Sequence, residues 1–196
     1  MRYDNNPNDI RICYIDSETV TPLFVACHHR RKEMIKLLVN YGADINIKND
    51  KGETAFFSNC KYECDIDMAC LLIKYKANPF INDNENNSAL HIYSKYLNTY
   101  KNYNDKYVML EYLLELGYNI NEKDKNGKTP LMKLCYHDNA SVVYFFMQHG
   151  SNIYMKDNNG NTALSIAQSL HNYRVVNYLV EHGALWKFYN FSKNNK

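Results

Sequence analysis

Apolar residues in this chain fall in paired short clusters, separated by polar stretches rich in glycine and asparagine, and the pairs recur. In the segment 124–156, Leu131 and Leu134 form a first cluster and Val142, Val143, Phe145 and Phe146 a second. The same alternation places Leu23 and Ala26 before Met34, Ile35, Leu37 and Leu38, and Leu164 and Ala167 before Val175, Val176, Tyr178 and Leu179. Apolar positions three and four apart lie on one side of a helix. Each pair therefore predicts two amphipathic helices joined by a short turn, each burying one face against the next pair. A hydroxyl residue (Thr21, Thr54, Ser88, Thr129 or Thr162) precedes each first cluster, suited to cap a helix by accepting backbone N–H bonds. Pro22 and Pro130 follow at the first helical position, where a missing N–H costs nothing.

Second helices end at Gly42, Gly117, Gly150 or Gly183, where a left-handed cap favours a residue without a Cβ. From there the chain must turn out and back as a finger before the next anchor. Gly52, Gly127 and Gly160 supply the positive φ, and Asn86 does so in the third repeat. Thr19 holds that place in the first finger and is β-branched, which predicts a distorted finger there. Repeat two has Lys76 in place of the capping glycine and Pro79 in place of isoleucine. An irregular hairpin of lower local stability is expected.

Successive anchors are 33, 34, 41 and 33 residues apart, the period of a solenoid. The motifs TPLF, TAFF, SALH, TPLM and TALS, with GADIN at Gly42–Asn46, GYNIN at Gly117–Asn121 and GSNIY at Gly150–Tyr154, resemble those of the ankyrin repeat family. The resemblance covers roughly residues 16–187 and implies an all-α fold, an ankyrin-repeat solenoid of helix-turn-helix units joined by β-hairpin-like fingers. The expected divisions are an N-terminal extension or degenerate repeat end (1–15), repeats at 16–48, 49–82, 83–123, 124–156 and 157–187, and a tail at 188–196. Repeat three carries an insertion at about 97–104, LNTYKNYN, ahead of a second helix beginning near Lys106. It is either a partner-contact loop or a solvated extension. The aromatic run Trp186, Phe188, Tyr189 and Phe191 is either a cap on the last helix pair or a docking segment.

Twenty-three basic residues against 21 acidic ones leave a formal net charge of +2, so no global field argues for nucleic acid or membrane. No apolar run reaches the ~18 residues of a membrane span, and the N-terminus is too polar for a signal peptide. The expected location is the cytoplasm, with the nucleus open. The richness in Asn, Lys, Ile and Tyr, with 18 tyrosines, fits an AT-rich genome, and in this the chain resembles poxvirus or protist ankyrin proteins. An F-box-like ending, frequent in poxvirus members, is not visible.

Six cysteines in such a chain are read as thiols. Cys27, Cys60 and Cys135 each lie six after an anchor, where the family has a small buried alanine. Cys60, Cys64 and Cys70 lack partners at zinc-like spacing. Cys27, His28 and His29 are adjacent, but helix neighbours point in different directions, so no nucleophile–base pair forms. His91 takes the histidine place of the TPLH-type motif, which implies a structural hydrogen bond. The run His28–Lys32 is either a basic patch or a complement to a helix C-terminus. No Gly-rich phosphate loop occurs. The expectation is a non-enzyme with no cofactor, no metal, no nucleic acid or membrane ligand, and a monomeric state.

By resemblance the function is protein recognition on the concave surface of finger tips and first helices. Finger candidates are Asp50, Lys51 and Glu53; Asn84, Glu85 and Asn87; Lys125, Asn126 and Lys128; and Asn158, Asn159 and Asn161. First-helix candidates are His28 and His29; Lys61 and Tyr62; Lys95 and Tyr96; and Lys133, Tyr136 and His137. Basic and aromatic residues alternate there, which suits a partner with acidic patches and apolar anchors. Two alternatives stay open: a viral or parasite host-modulating mimic of inhibitory ankyrin proteins, and the recognition part of a larger effector or enzyme.

Overall fold

A computed structural model describes residues 13–15, 18–97 and 103–183, with side chains from Thr21 onward, except those of Glu63 and residues 103–106. The candidate insertion and the aromatic tail fall largely or wholly outside this range. Two short antiparallel strands, β1 (Cys13–Ile15) and β2 (Glu18–Val20), come first. Helices follow in pairs: α1 (Pro22–His28) with α2 (Lys32–Asn40), then α3 (Ala55–Ser58) and a π-helical turn (Asn59–Glu63) with α4 (Ile66–Lys74). α5 (Ala89–Tyr96) pairs with α6 (Tyr103–Glu115), α7 (Pro130–Leu134) with α8 (Ala140–Gln148), and α9 (Ala163–Ser169) with α10 (Tyr173–Glu181). The fold is all-α, with β1 and β2 its strands among the described residues.

The chain divides into two compact units, residues 1–116 and 117–196. In the first, α1 packs on α2 and α3, α5 on α3 and the π-helical turn, and α6 on α4 and α5. Phe56, Phe57, Met68, Leu72, Leu90, Tyr93 and Leu110 are fully buried there. In the second, α7 packs on α8 and α9, and α10 on α8 and α9, around Leu134, Val143, Phe146, Ala167, Val175 and Leu179.

Anchor hydroxyls cap first helices as the sequence predicts. Thr54, Thr129 and Thr162 Oγ1 accept from the N–H three residues on at 3.3, 3.3 and 3.2 Å. In repeat three the cap adds His91, whose Nδ1 accepts from Ser88 N at 3.2 Å and lies 2.8 Å from Ser88 Oγ. Gly42, Gly117, Gly150 and Gly183 all have positive φ. The turn between helices holds a second left-handed position that sequence reading missed: Arg30, Cys64 and His171, at φ 53°, 50° and 58°.

Several expectations are corrected. Lys76 takes φ 69°, yet its hairpin is regular: Lys76 N bonds Ile73 O at 2.9 Å and Ala77 N bonds Leu72 O at 3.0 Å, the pattern seen at Gly42 and Gly150. The irregularity of repeat two lies in its first helix, where the one extra residue behind the 34-residue spacing is absorbed as the π-helical turn, closed by Cys64 N to Asn59 O at 2.8 Å. Thr19 pairs with Tyr14 inside a strand ladder and takes no left-handed turn, so the first finger departs from the others as its β-branched residue predicts. Helix α6 starts at Tyr103, ahead of Lys106, and Leu97 is buried against the core. Met34 and Leu37, read as core, are 49% and 51% exposed. Of the basic run only His28 lies in the last turn of α1; Arg31 and Lys32 begin α2, and Lys32 Nζ pairs with Asp67 at 3.1 Å.

Candidate partner-binding surface

Four of the fingers are each built on one side chain that the sequence reading passed over. Asn49, Asp83, Asp124 and Asp157 lie five residues before their anchors, and each Oδ1 accepts from the N–H two and four residues on, at 2.7–3.0 Å. The finger then closes with paired backbone bonds, such as Asp124 N to Lys128 O and Gly127 N to Asp124 O, both at 2.9 Å. An Asx residue folds the chain this way because its short acceptor mimics a backbone carbonyl. The signal was available: an Asp or Asn stands at that spacing before all five anchors, Asp16 included.

Adjacent fingers are stitched. In the first unit Asn84 N reaches Lys51 O and Asn84 Nδ2 reaches Asp50 O, both at 2.9 Å. In the second, Asn158 N bonds Asn126 O at 2.9 Å and Asn158 Nδ2 bonds Lys125 O at 3.0 Å. The last asparagine of the GADIN and GYNIN motifs ties hairpin to hairpin. Asn46 Oδ1 accepts from Asn78 N at 2.6 Å and its Nδ2 donates to Lys76 O at 3.3 Å; Asn121 does the same to Asn152 N and Gly150 O, at 2.7 and 2.9 Å. Tyr154, which replaces that asparagine in GSNIY, reaches Gly183 O through its phenol at 2.9 Å.

On this frame the finger candidates separate. Asp50, Lys51, Asn84, Glu85, Lys125, Asn126, Asn158 and Asn159 are exposed at the tips, and Lys128 and Asn161 are half-buried. Glu53 and Asn87 are buried, so neither side chain faces solvent. Among first-helix candidates Lys61 is likewise buried: its Nζ sits 2.8 Å from Glu53 Oε1, with the two side chains 8% and 5% exposed. Burial would pull the Lys61 pKa down, but hydrogen bonds to Glu53 and Tyr62 and the Glu53 charge raise it above its ordinary value. Lys133 pairs with the buried Asp124 at 2.6 Å. These three placements correct the expectation of a solvent-facing Glu53, Asn87 and Lys61.

The other candidates lie at and beyond the ends of the first helices, with Tyr136 and His137 in the turn after α7 and His29 the C-cap of α1, and a lysine–tyrosine pair recurs there. Lys61 Nζ lies 4.8 Å from the Tyr62 ring centre, Lys95 Nζ 5.2 Å from that of Tyr96, and Lys128 Nζ 5.0 Å from that of Tyr136, where it also hydrogen-bonds the phenol. His28 meets Tyr62 edge-on at 5.5 Å and His29 at 5.2 Å. Tyr136 and His29 are exposed, as is Lys95; Tyr62, Tyr96, His28 and His137 are half-buried. Lys61 is held beside its ring by Glu53 and Lys128 by the Tyr136 phenol, and Lys95 lies at cation–π distance from Tyr96.

The chemistry open to three of the buried thiols is narrow. Cys27 and Cys135 are buried, and burial pushes both up to about 12; Cys60 is raised in the same way, with the nearby Cys64 adding to it. A thiol held protonated is a poor nucleophile. Among the described residues no three or more His, Cys, Asp or Glu are placed to hold a metal ion together, and no helix is long and apolar enough to cross a membrane.

Paired helices in repeats of about 33 residues, joined by stitched fingers, define a helical repeat protein. The chain belongs to the ankyrin repeat family: the model for ankyrin repeats (3 copies) matches residues 3–83 and 99–188. It is 32% identical over 143 residues to a putative ankyrin repeat protein of fowlpox virus, covering 71% of this chain and 22% of that protein. An ankyrin repeat protein of variola virus is 28% identical over 123 residues, 59% of this chain and 21% of that one. A probable serine/threonine-protein kinase of Dictyostelium discoideum is 28% identical over 138 residues, 68% of this chain and 16% of the kinase. The chain thus spans about a fifth of the length of these viral relatives. Ankyrin repeats generally mediate protein–protein interaction and are typically non-catalytic.

Proposed function

We propose that this chain is a non-catalytic recognition module that binds a partner protein through its finger tips and the ends of its first helices. The observation that carries the reading is the recurrence of a lysine beside a tyrosine ring at Tyr62, Tyr96 and Tyr136. Ordered aromatics contribute contact area at low entropic cost, and Lys95 and Lys128 beside two of the rings favour acidic groups next to an apolar anchor, while Lys61 is engaged by Glu53. The contact set is Asp50, Lys51, Asn84, Glu85, Lys95, Lys125, Asn126, Lys128, Asn158, Asn159, His28, His29, His137 and the three tyrosines. The partner is a protein with acidic patches, bound by a monomer in the cytoplasm or nucleus. The test is affinity capture from host or source lysate, comparing the chain with its Tyr62→Ala/Tyr96→Ala/Tyr136→Ala variant. A partner lost in the variant is expected; one retained at equal yield removes this surface from the function.

The viral relatives favour a second reading, that the module modulates a host pathway by sequestering a signalling or transcription protein. Reporter assays in transfected host cells test it. Repression of a pathway by the chain and not by the triple variant is expected; no repression in any pathway tested sets this reading aside and leaves the recognition module.

A further inference from the structure

We infer that Lys128 and Tyr136 form a carboxylate-binding subsite in the fourth repeat, which takes an aspartate or glutamate side chain of the partner. The inference rests on the recognition reading above and assigns the partner's acid to one place on that surface. Register is its starting point. Glu53 stands one residue before its anchor Thr54 and Lys61 seven after it, and the two side chains meet at 2.8 Å. Lys128 stands one residue before Thr129 and Tyr136 seven after it, and these side chains also meet, with the lysine donating to the phenol oxygen. In both repeats the base of the finger thus touches the end of the first helical segment, but the chemistry differs. In repeat two Lys61 holds the chain's own carboxylate and also hydrogen-bonds Tyr62, so the molecule already contains one carboxylate seated on a lysine–phenol pair. In repeat four Lys128 occupies the place of that carboxylate, and both positions bring donors. An ammonium has three N–H groups, and a phenol that accepts one of them still has its own O–H.

Access separates the two sites. The side chains of Glu53 and Lys61 are 5% and 8% exposed, whereas Tyr136 is 44% exposed and Lys128 half-buried. Charge favours repeat four as well. Segments 122–133 and 156–161 carry Lys123, Lys125, Lys128, Lys133 and Lys156 against Glu122, Asp124 and Asp157. Asp124 is paired with Lys133 at 2.6 Å. Asp157 lies near enough to Lys128 for the lysine's charge to help lower its pKa. Its oxygens, however, serve the finger: Oδ1 accepts from the N–H groups of Asn159 and Asn161, and Oδ2 from Asn161 Nδ2. Lys95 and Tyr96, the pair of repeat three, follow a finger that carries Asp83 and Glu85 and no lysine between 82 and 87. An incoming carboxylate meets like charge there and opposite charge in repeat four.

The probes are a pair of fluorescent peptides of equal length with tryptophans as apolar anchors, one carrying glutamates and the other glutamines at the remaining positions. Fluorescence anisotropy on the full chain at low salt measures affinity. The glutamate peptide is expected to bind at least about tenfold more tightly than the glutamine peptide. Lys128→Gln, with circular dichroism unchanged, is expected to reduce that preference to less than about twofold. Tyr136→Phe keeps the ring and is expected to weaken the glutamate peptide at least about threefold while leaving the glutamine peptide unmoved. Lys125→Gln removes the same charge from the exposed tip of the same finger and is expected to leave the preference within about twofold of its original value. Four results overturn the subsite: no binding of either peptide, equal binding of both, an unaltered preference in Lys128→Gln, or a loss in Lys125→Gln as large as in Lys128→Gln, which would assign the preference to diffuse charge. Capture from lysate separates the subsite from the wider reading. A partner lost in the triple tyrosine variant but retained by Lys128→Gln and Tyr136→Phe removes the subsite alone, and one retained by the triple variant removes the whole surface, subsite included.

Discussion

Glu53 and Lys61 form an ion pair with almost no solvent around it, 2.8 Å apart and 5% and 8% exposed. Such a pair gains little net stability over an apolar replacement, but removing one partner strands the other as a buried charge. Glu53→Ala is therefore expected to cost about 3–5 kcal/mol in urea unfolding, and Glu53→Leu/Lys61→Met to recover most of it. If the single variant costs no more than an exposed substitution, the lysine reaches water by another route. Asp157 poses the opposite case. Burial pushes its pKa up, but hydrogen bonds from Asn161 and Asn159 and the charge of Lys128 outweigh it and leave the pKa lowered. A lowered carboxyl pKa contributes stability that is present above the unfolded value, about 3.9, and lost as pH falls through the folded one. Asp157→Asn keeps the Oδ1 acceptor, as Asn49 does in its finger. It loses the charge and the Oδ2 acceptor that Asn161 Nδ2 meets at 3.1 Å, so it should lower stability at neutral pH and flatten the further loss below about pH 4, as followed by thermal melts across that window. An unaltered acid profile would mean the finger does not depend on the charge.

Two glycines with similar backbone angles do different work in the elements they close. Gly150 has φ +86° with open space where a Cβ would point, whereas at Gly127 (φ +75°) a Cβ would sit 2.4 Å from Asn158 Oδ1 and 2.9 Å from its backbone N. Alanine at either position meets the left-handed cost of about 1–2 kcal/mol. Only Gly127→Ala must also break the stitch between fingers, so it is expected to cost at least about 1 kcal/mol more, the scale of a lost hydrogen bond. Equal costs in denaturant melts would show that the fingers can separate freely. Lys76 is the reverse experiment. It holds φ 69° in a hairpin whose bonds match those at true glycine caps, so Lys76→Gly should raise stability by about 0.5–1 kcal/mol, the left-handed strain less the extra entropy of glycine in the unfolded chain. A loss of stability would mean that the lysine side chain holds the hairpin in a way the backbone does not reveal.

Across the molecule, the features legible in the sequence were those with a fixed local cause. A threonine before an apolar cluster caps, and a glycine after one turns left-handed; spacing alone then yields the repeats. What stayed hidden depends on neighbours in space. Nothing in ETAFFSNCKYE announces that Glu53 and Lys61 bury each other, and the single extra residue of repeat two could as well have entered a loop as a π-helical turn. Lys61 and Glu53 read as surface because charge usually is, and of the tyrosines expected on first helices Tyr96 ends α5, Tyr62 lies in the π-helical turn and Tyr136 lies in the turn beyond α7. The stitches between repeats were missed for the same reason, and they matter most at this scale. The stability of a repeat array is approximately a sum of repeat and nearest-neighbour terms, so cooperativity resides in the interfaces. Asn46 spends both ends of its amide on the next hairpin, to Asn78 N and Lys76 O. Asp157 in contrast bonds within its own finger. Asn46→Ala removes two hydrogen bonds and Asp157→Ala three, and each should cost about 1–3 kcal/mol or more. Only Asn46→Ala is expected to broaden the urea transition and to speed hydrogen exchange at Asn78 and its neighbours ahead of global unfolding. An unchanged slope and unchanged exchange in Asn46→Ala would mean that apolar packing between helices, and not the asparagine stitches, couples one repeat to the next.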